Sequence, residues 1–155
     1  MTIEEGFIGR ALADVRPLIQ QKGFKAIRVK DILETMQVSQ SKFFNYFGSI
    51  YGLFALVMHD ELLKCYTFVH DKTKRLDKVN FLLLQFRRYK MNFVNDNAIL
   101  QDYFTNEKLF TRRFDVLKKT VQQSEKHLLN EFLQNFVLSE DDVLYFKKSI
   151  LNFNG

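Results

Sequence analysis

Hydrophobic residues recur along almost the whole chain with the period of an α-helix, and no segment shows the strict alternation of a half-buried strand. Within 76–94 the apolar positions alternate in steps of three and four, and within 109–136 one apolar stripe continues to the end of the segment. The pattern predicts an all-α protein, in which Pro17 kinks or breaks the first helix. Helices are expected at roughly 3–21, 28–36, 40–47, 50–72, 76–94, 97–107, 109–136 and from Ser139 onward.

Residues 23–53 carry the pattern of two short helices joined by a tight turn. Apolar residues share one face of the first helix, and Gln37-Val38-Ser39 interrupts that face, with Ser39 as a candidate N-cap. Such a pair of helices is typical of the DNA-binding helix-turn-helix, whose second helix enters the major groove. The second helix carries side chains that bond base edges and phosphates: Gln40, Ser41, Lys42, Asn45 and Tyr46.

Length and composition fit a small head and a larger body. The chain has 155 residues, of which 46% are apolar and 15% aromatic, so it can bury a sizeable core. One proline and six glycines argue against disorder and against an all-β fold. We therefore expect 1–49 to form a helix-turn-helix DNA-binding head and 50–155 a helical regulatory and dimerisation body, joined by the long helix 50–72.

The net charge of +5 is not concentrated in the head as a whole, but it is locally positive where DNA would bind. Neutralising phosphates requires such a local excess of cations. Residues 22–50 contain five basic side chains and only two acidic ones. The basic residues are Lys22, Lys25, Arg28, Lys30 and Lys42, and the acidic residues are Asp31 and Glu34.

Cysteine use and hydropathy indicate a cytoplasmic protein without a membrane segment. The lone Cys65 excludes an internal disulfide and fits a reducing compartment. The first residues, MTIEEGF, are acidic where a signal peptide is basic, and the longest apolar run, 53–58, is too short to span a bilayer.

Nothing in the sequence indicates catalysis, a cofactor or a metal site. His59, His70 and His127 are far apart, and the consecutive residues His59-Asp60-Glu61 point in different directions around a helix. No metal-binding, phosphate-cradling or nucleophile motif is present. We expect a protein that is not an enzyme.

The head, over about 7–53, resembles the N-terminal domain of TetR/AcrR-type transcriptional regulators. The agreement in order, spacing and residue class extends over thirty positions, whereas the body agrees with that family only in fold class. The matching residues are Gly23, Phe24, Ala26, Val29, Ile32, Val38, Ser39, Phe43, Phe44, Tyr46, Phe47, Ser49 and Leu53.

This resemblance implies a bacterial regulator that binds a palindromic operator as a homodimer and acts as a repressor. Many members of the family release DNA when a small apolar effector binds, and such an effector is expected here. Phe43 and Phe47 are four residues apart, and this spacing assigns both to the core that holds the second helix. DNA contacts are expected from Arg28, Lys30, Ser39, Gln40, Ser41, Lys42, Phe44, Asn45 and Tyr46.

Three departures from the family pattern keep an alternative open. Arg28 stands where the family has a capping Ser or Thr, and Gln37 where it has Gly, each at a cost of about 1 kcal/mol. Ile50 replaces a lysine that reaches a phosphate. The alternative is a degenerate head that binds a protein, for which an apolar patch around Ile50 and Tyr51 would be the sign. A positive strip around Arg28, Lys30 and Lys42 would favour DNA.

The body supplies enough aromatic residues to line an apolar effector cavity between helices. The competing interpretation is ordinary core packing, because phenylalanine at helical spacing serves both purposes. The family's two long closing helices are also not both present in this sequence, so we expect a reduced dimer interface or a shortened chain. The candidate cavity residues are Phe86, Tyr89, Phe93, Tyr103, Phe104, Phe110 and Phe114.

Overall fold

The structure is a computed structural model that describes residues 3–151, and within that range it contains eight α-helices and no strand. The all-α prediction is therefore confirmed. Three short 3-10 turns lie at 24–26, 107–109 and 112–114. The helices are α1 (Ile3–Lys22), α2 (Val29–Met36), α3 (Gln40–Phe47), α4 (Ile50–Thr73), α5 (Val79–Asn95), α6 (Ala98–Asn106), α7 (Asp115–Leu133) and α8 (Glu140–Leu151).

Helix starts agree with the sequence wherever a polar cap is available. Ser39 and Ser49 each accept a backbone N–H, from Lys42 at 3.2 Å and from Gly52 at 3.3 Å. Ser139 accepts the N–H of Asp142 at 3.1 Å, as predicted for the last helix. A side-chain oxygen that satisfies an otherwise unpaired amide fixes the first turn, so these starts were readable from local chemistry.

The helices differ from the predicted ones at three points. The helix expected from 109 begins only at Asp115, because Phe110 and Phe114 stack on each other at 4.4 Å between ring centroids and hold the preceding residues in 3-10 turns. Pro17 does not break α1, which is continuous from Ile3 to Lys22, whereas a kink at Pro17 stays a prediction. The helix expected from 76 begins at Val79.

Helix α4 is the central element of the fold. It packs on α5 and α7 in the body and on α1 and α3 in the head, and most of its faces are covered. The head and the body therefore share one core, and the boundary between 49 and 50 stays a prediction. Its fully buried side chains include Leu53, Phe54, Val57, Met58, Leu62 and Cys65.

Helix α6 contacts the head directly at Asp102 and indirectly through Glu61 of α4. Asp102 accepts the backbone N–H of Phe24 at 2.9 Å, beside Gly23, whose φ of 78° and closeness to the Asp102 carboxylate leave no room for a side chain. At the start of α6, the Asn97 amide donates to Glu61 of α4 at 2.8 Å. Glu61 also accepts from Arg16 of α1 at 2.9 Å, so three helices meet at one carboxylate.

Across residues 3–151, none of the helices combines the length and the apolar character that crossing a bilayer requires.

Candidate nucleic-acid interface

The orientation of α3 is fixed by aromatic packing on its inner face. Phe43 is fully buried and Phe47 nearly so, with their ring centroids 5.1 Å apart. Phe7 of α1 packs against Phe47 at 6.0 Å and against Tyr46 at 4.4 Å. The prediction that Phe43 and Phe47 belong to the core is confirmed.

The opposite face of α3 is polar and exposed. At 100° per residue, Ser41 and Asn45 lie on the far side of the helix from Phe43 and Phe47, and Lys42 lies at the edge next to α1; all three are exposed. Gln40 and Ser39 are exposed at the N-terminal end of the same helix. The geometry therefore presents a short helix whose free N-terminal end and outer face carry donors and acceptors.

The remaining predicted contact residues flank this face. Arg28 and Lys30, at the start of α2, are exposed, although Lys30 lies 3.9 Å from the exposed carboxylate of Glu34. The Lys42 ammonium lies 4.7 Å from the centre of the Phe7 ring. Phe44 is half-buried beside Phe43, and Tyr46 is partly exposed, with its ring against Phe7 of α1.

The start of α2 has a cap that the sequence analysis missed. The backbone N–H of Arg28 donates to the Asp31 carboxylate at 2.9 Å, and Lys22 lies 3.2 Å from the other oxygen. The backbone hydrogen bond from Arg28, with help from Lys22, lowers the pKa of Asp31. An acid three residues into a helix is a recognised partner for the capping position, so Asp31 was the signal. The weak start predicted from Arg28 is thereby offset.

The turn between α2 and α3 places Gln37 in the left-handed region, with φ 56° and ψ 46°. This conformation is costly for a side chain with a Cβ atom and favourable for glycine. The loss of stability predicted for Gln37, where the resembled family has glycine, is thus explained by the backbone conformation of the turn.

Replacing Gln37 with glycine is expected to raise the free energy of unfolding by about 1 kcal/mol, because glycine adopts the left-handed conformation without strain. Urea unfolding followed by circular dichroism measures the change. The control is Gln123→Gly on the exposed face of α7, where glycine should cost about 1 kcal/mol. A loss of stability in Gln37→Gly would contradict the expectation.

The apolar patch that would mark a protein-binding head is not formed by Ile50 and Tyr51. Ile50 is only 7% exposed and belongs to the core. Tyr51 is half-buried, with its ring 5.0 Å from that of Phe114. Ile50 therefore adds no exposed apolar surface to the head.

The predicted cavity residues do not surround one cavity. Phe86 is in the core beside Phe132 and Phe146, while Tyr89 and Phe93 pack against Phe68. The other four, Tyr103, Phe104, Phe110 and Phe114, pack on one another next to the head.

An open groove of about 570 Å³ nevertheless lies between α5, α6 and the end of α8. Phe86 and Phe104 are the two predicted residues that line it. Periodicity alone could not separate groove from core, because the spacing of aromatic residues on a helix is the same in both. Its apolar wall is completed by Met91, Val94 and Ile150, and Arg87 and Lys90 supply charge.

The histidines and the cysteine have structural neighbours. His59 shares a hydrogen bond of 3.1 Å with Ser124, and His127 lies 3.0 Å from Glu131. Burial raises the pKa of the Cys65 thiol to about 12, so the thiolate that reacts is scarce. Within residues 3–151, no group of three or more histidine, cysteine, aspartate or glutamate side chains is placed to hold a metal ion.

No protein-family model matches the sequence, and no curated protein matches it. The chain is similar to the crystal structure of a TetR family transcriptional regulator, PfmR from Thermus thermophilus. The two share 17% sequence identity with a TM-score of 0.46, and the match covers 89% of this chain and 79% of that one. This is the family that residues 23–53 resemble. At such values the similarity carries no information on DNA or ligand, so the function proposed below rests on the geometry of the head.

Proposed function

We propose that this chain is a TetR-like transcriptional regulator that binds a palindromic operator as a dimer, acting as a repressor in the bacterial cytoplasm. The observation that carries the proposal is the two-sided α3. Its inner face is held by buried Phe43 and Phe47, and its outer face presents Ser41 and Asn45, with Lys42 at its edge, directly after a three-residue turn. A rigidly held helix with a polar outer face suits the major groove.

Each exposed side chain has a chemical role in this proposal. Gln40 can bond adenine through two hydrogen bonds, and Lys42 can meet guanine or a phosphate. Asn45 and Tyr46 reach base or phosphate one turn later, and Phe44 supplies apolar contact. Arg28 and Lys30 meet the phosphates beside the groove, and Ser39 and Ser41 donate to phosphate oxygens.

The test is selection from a pool of random-sequence duplexes with sequencing of the bound fraction at ~150 mM salt. Two half-sites related by a two-fold axis are expected. A folded sample that enriches no motif would contradict the proposal and would leave protein binding by a degenerate head as the working hypothesis.

Replacing Gln40 with alanine is expected to cost about 1–3 kcal/mol in operator binding and to relax the preference at one base position per half-site. Replacing Lys42 with alanine should weaken binding and, if Lys42 meets a phosphate, reduce the salt slope by about one. Titrations by fluorescence anisotropy at several salt concentrations separate these effects.

The control is Gln122→Ala on the exposed face of α7, which should bind like the unmodified protein. If Gln40→Ala binds with the same affinity and the same base preferences as the control, Gln40 does not contact the operator.

An effector site is proposed in the groove between α5, α6 and α8. Its wall is largely apolar, and α6 forms one side of it while contacting the head through Asp102, which accepts the backbone N–H of Phe24. A molecule that favours one position of α6 would therefore change the head, and ligand and operator would affect each other's affinity by the same factor. The probe is 1-anilinonaphthalene-8-sulfonate, and the readout is its affinity with and without operator. Equal affinities would contradict coupling.

A further inference from the structure

Helix α5 has apolar side chains on both faces. Leu82 and Phe86 are buried in the core, whereas Phe81, Leu84 and Met91 lie on the opposite side at 49%, 60% and 64% exposure. Scattered exposed apolar residues are ordinary, but three large ones along one outer helix face indicate a surface that another molecule covers. We call this the α5 stripe.

The charges within α5 itself have one sign. Between Val79 and Asn95 there is no acidic residue, and all the basic residues, Arg87, Arg88 and Lys90, lie in the second half of the helix. Like charges would oppose the pairing of two such stripes with each other. The stripe therefore requires an acidic, partly apolar helix opposite it.

Helix α8 has that character. Glu140, Asp141 and Asp142 form its first turn, and Leu144 and Tyr145 are about half exposed beside them. Among residues 3–151, no ion pair engages these three acids or Arg88. Both complementary helices thus carry unpaired charge next to exposed apolar side chains.

The two helices are neighbours in the same molecule. Phe86 and Phe146 are 5.3 Å apart between ring centroids, and the Arg87 guanidinium donates to the Ser149 carbonyl at 3.0 Å. Farther along both helices, Lys90, Met91 and Val94 of α5 line one groove with Ser149 and Ile150 of α8, so α5 and α8 run parallel. Their outer faces form one combined surface with a basic and an acidic part.

We propose that this surface binds a second copy of the chain about a two-fold axis, with α5 of each copy facing α8 of the other. An axis perpendicular to the helices makes α8 of the second copy antiparallel to α5. Its acidic first turn then falls toward Arg88, and Lys147 and Lys148 fall toward the uncharged first half of α5. A surface that contains both complementary parts matches itself under two-fold symmetry.

The outer face of α7 does not compete for this role. Val116, in its first turn, is exposed, but it is the single large apolar side chain exposed on α7. The other exposed residues of this face are polar: Lys119, Gln122, Gln123, Lys126 and His127. This surface would form the dimer that the proposed function requires, so its biological role rests on that function. The dimer itself should form without DNA.

Sedimentation velocity over a range of concentrations tests the proposal. The unmodified chain should show a monomer–dimer equilibrium, and Leu84→Glu and Leu144→Glu should each raise the dimer Kd at least ~10-fold. Gln123→Glu, which adds the same charge to the polar face of α7, should leave Kd unchanged. Circular dichroism checks folding, which these exposed positions should preserve.

Charge reversal tests the pairing of helices. Arg88→Glu and Asp141→Arg should each weaken the dimer, and the double variant should recover part of the loss. A monomeric unmodified chain would overturn the proposal and leave a foreign acidic helix as the occupant. A dimer that resists both leucine substitutions would also overturn it. If the dimer behaves as expected and the random duplex pool yields no motif, the DNA function fails while this surface stands.

Discussion

Replacing Gly52 with alanine is expected to lower the free energy of unfolding by about 3 kcal/mol, at the upper end of the cost of overpacking. Gly52 is in the first turn of α4, where alanine would ordinarily stabilise a helix by about 1 kcal/mol relative to glycine. The sign is reversed here because a Cβ atom would overlap the backbone carbonyl oxygen of Phe47, at the end of α3. Backbone atoms cannot rotate away, so α3 and α4 must move apart.

The same movement would affect DNA binding. Phe47 is one of the two side chains that hold α3, and a shift of its backbone turns the outer face of α3 relative to the rest of the head. We therefore expect Gly52→Ala to weaken operator binding beyond what its unfolded fraction explains. Urea unfolding and operator titration on one sample measure both effects.

Gly9→Ala is the matched control. Gly9 is inside α1, and a Cβ atom there would have nothing within 4 Å. Alanine should stabilise the protein at this position by up to about 1 kcal/mol. A stabilised Gly52→Ala variant would show that α3 and α4 are less closely packed than described.

Replacing Arg16 with methionine is expected to cost about 3 kcal/mol, as when one partner is removed from a buried ion pair. The Glu61 carboxylate is buried, and it depends on Arg16, Lys64 and Asn97 for its hydrogen bonds and compensating charge. Arg16 also forms an ion pair with Asp60. Without the guanidinium, Glu61 would remain in the core with less compensation.

The effect should depend on pH in a defined direction. Burial by itself would raise the pKa of Glu61, but hydrogen bonds from Asn97 and Arg16 and the charge of Lys64 outweigh it and hold the pKa below the ordinary value of 4.5. A lowered carboxyl pKa stabilises the fold above the unfolded value and loses that contribution as pH falls through the folded value. The difference between Arg16→Met and the unmodified protein should therefore shrink below pH 4.5.

Urea unfolding at neutral pH and at about pH 3.5 measures this difference. The control is Lys74→Met, which removes an exposed pair with Asp71 and should cost less than about 0.5 kcal/mol at either pH. A constant cost for Arg16→Met at both pH values would show that lost packing of the arginine stem, rather than the charge of Glu61, is responsible.

The sequence by itself determined the helical architecture, the helix-turn-helix and most helix starts. Amphipathic period and polar caps act over three or four residues, so Ser39, Ser49 and Ser139 could be assigned without knowing what packs against them. The inner positions of Phe43 and Phe47 followed from the same period. The roles of the exposed head residues stay predictions, because exposure alone does not show what a side chain binds.

Only the tertiary structure decided which distant segments of the chain pack against one another. It buried Ile50, separated the seven predicted cavity aromatics, and delayed α7 to Asp115 through the stacking of Phe110 on Phe114. It also brought Arg16, Glu61 and Asn97 together from three helices. These outcomes depend on contacts between residues far apart in the chain, and a local pattern cannot specify them, because the same apolar spacing serves a core, a groove or an interface.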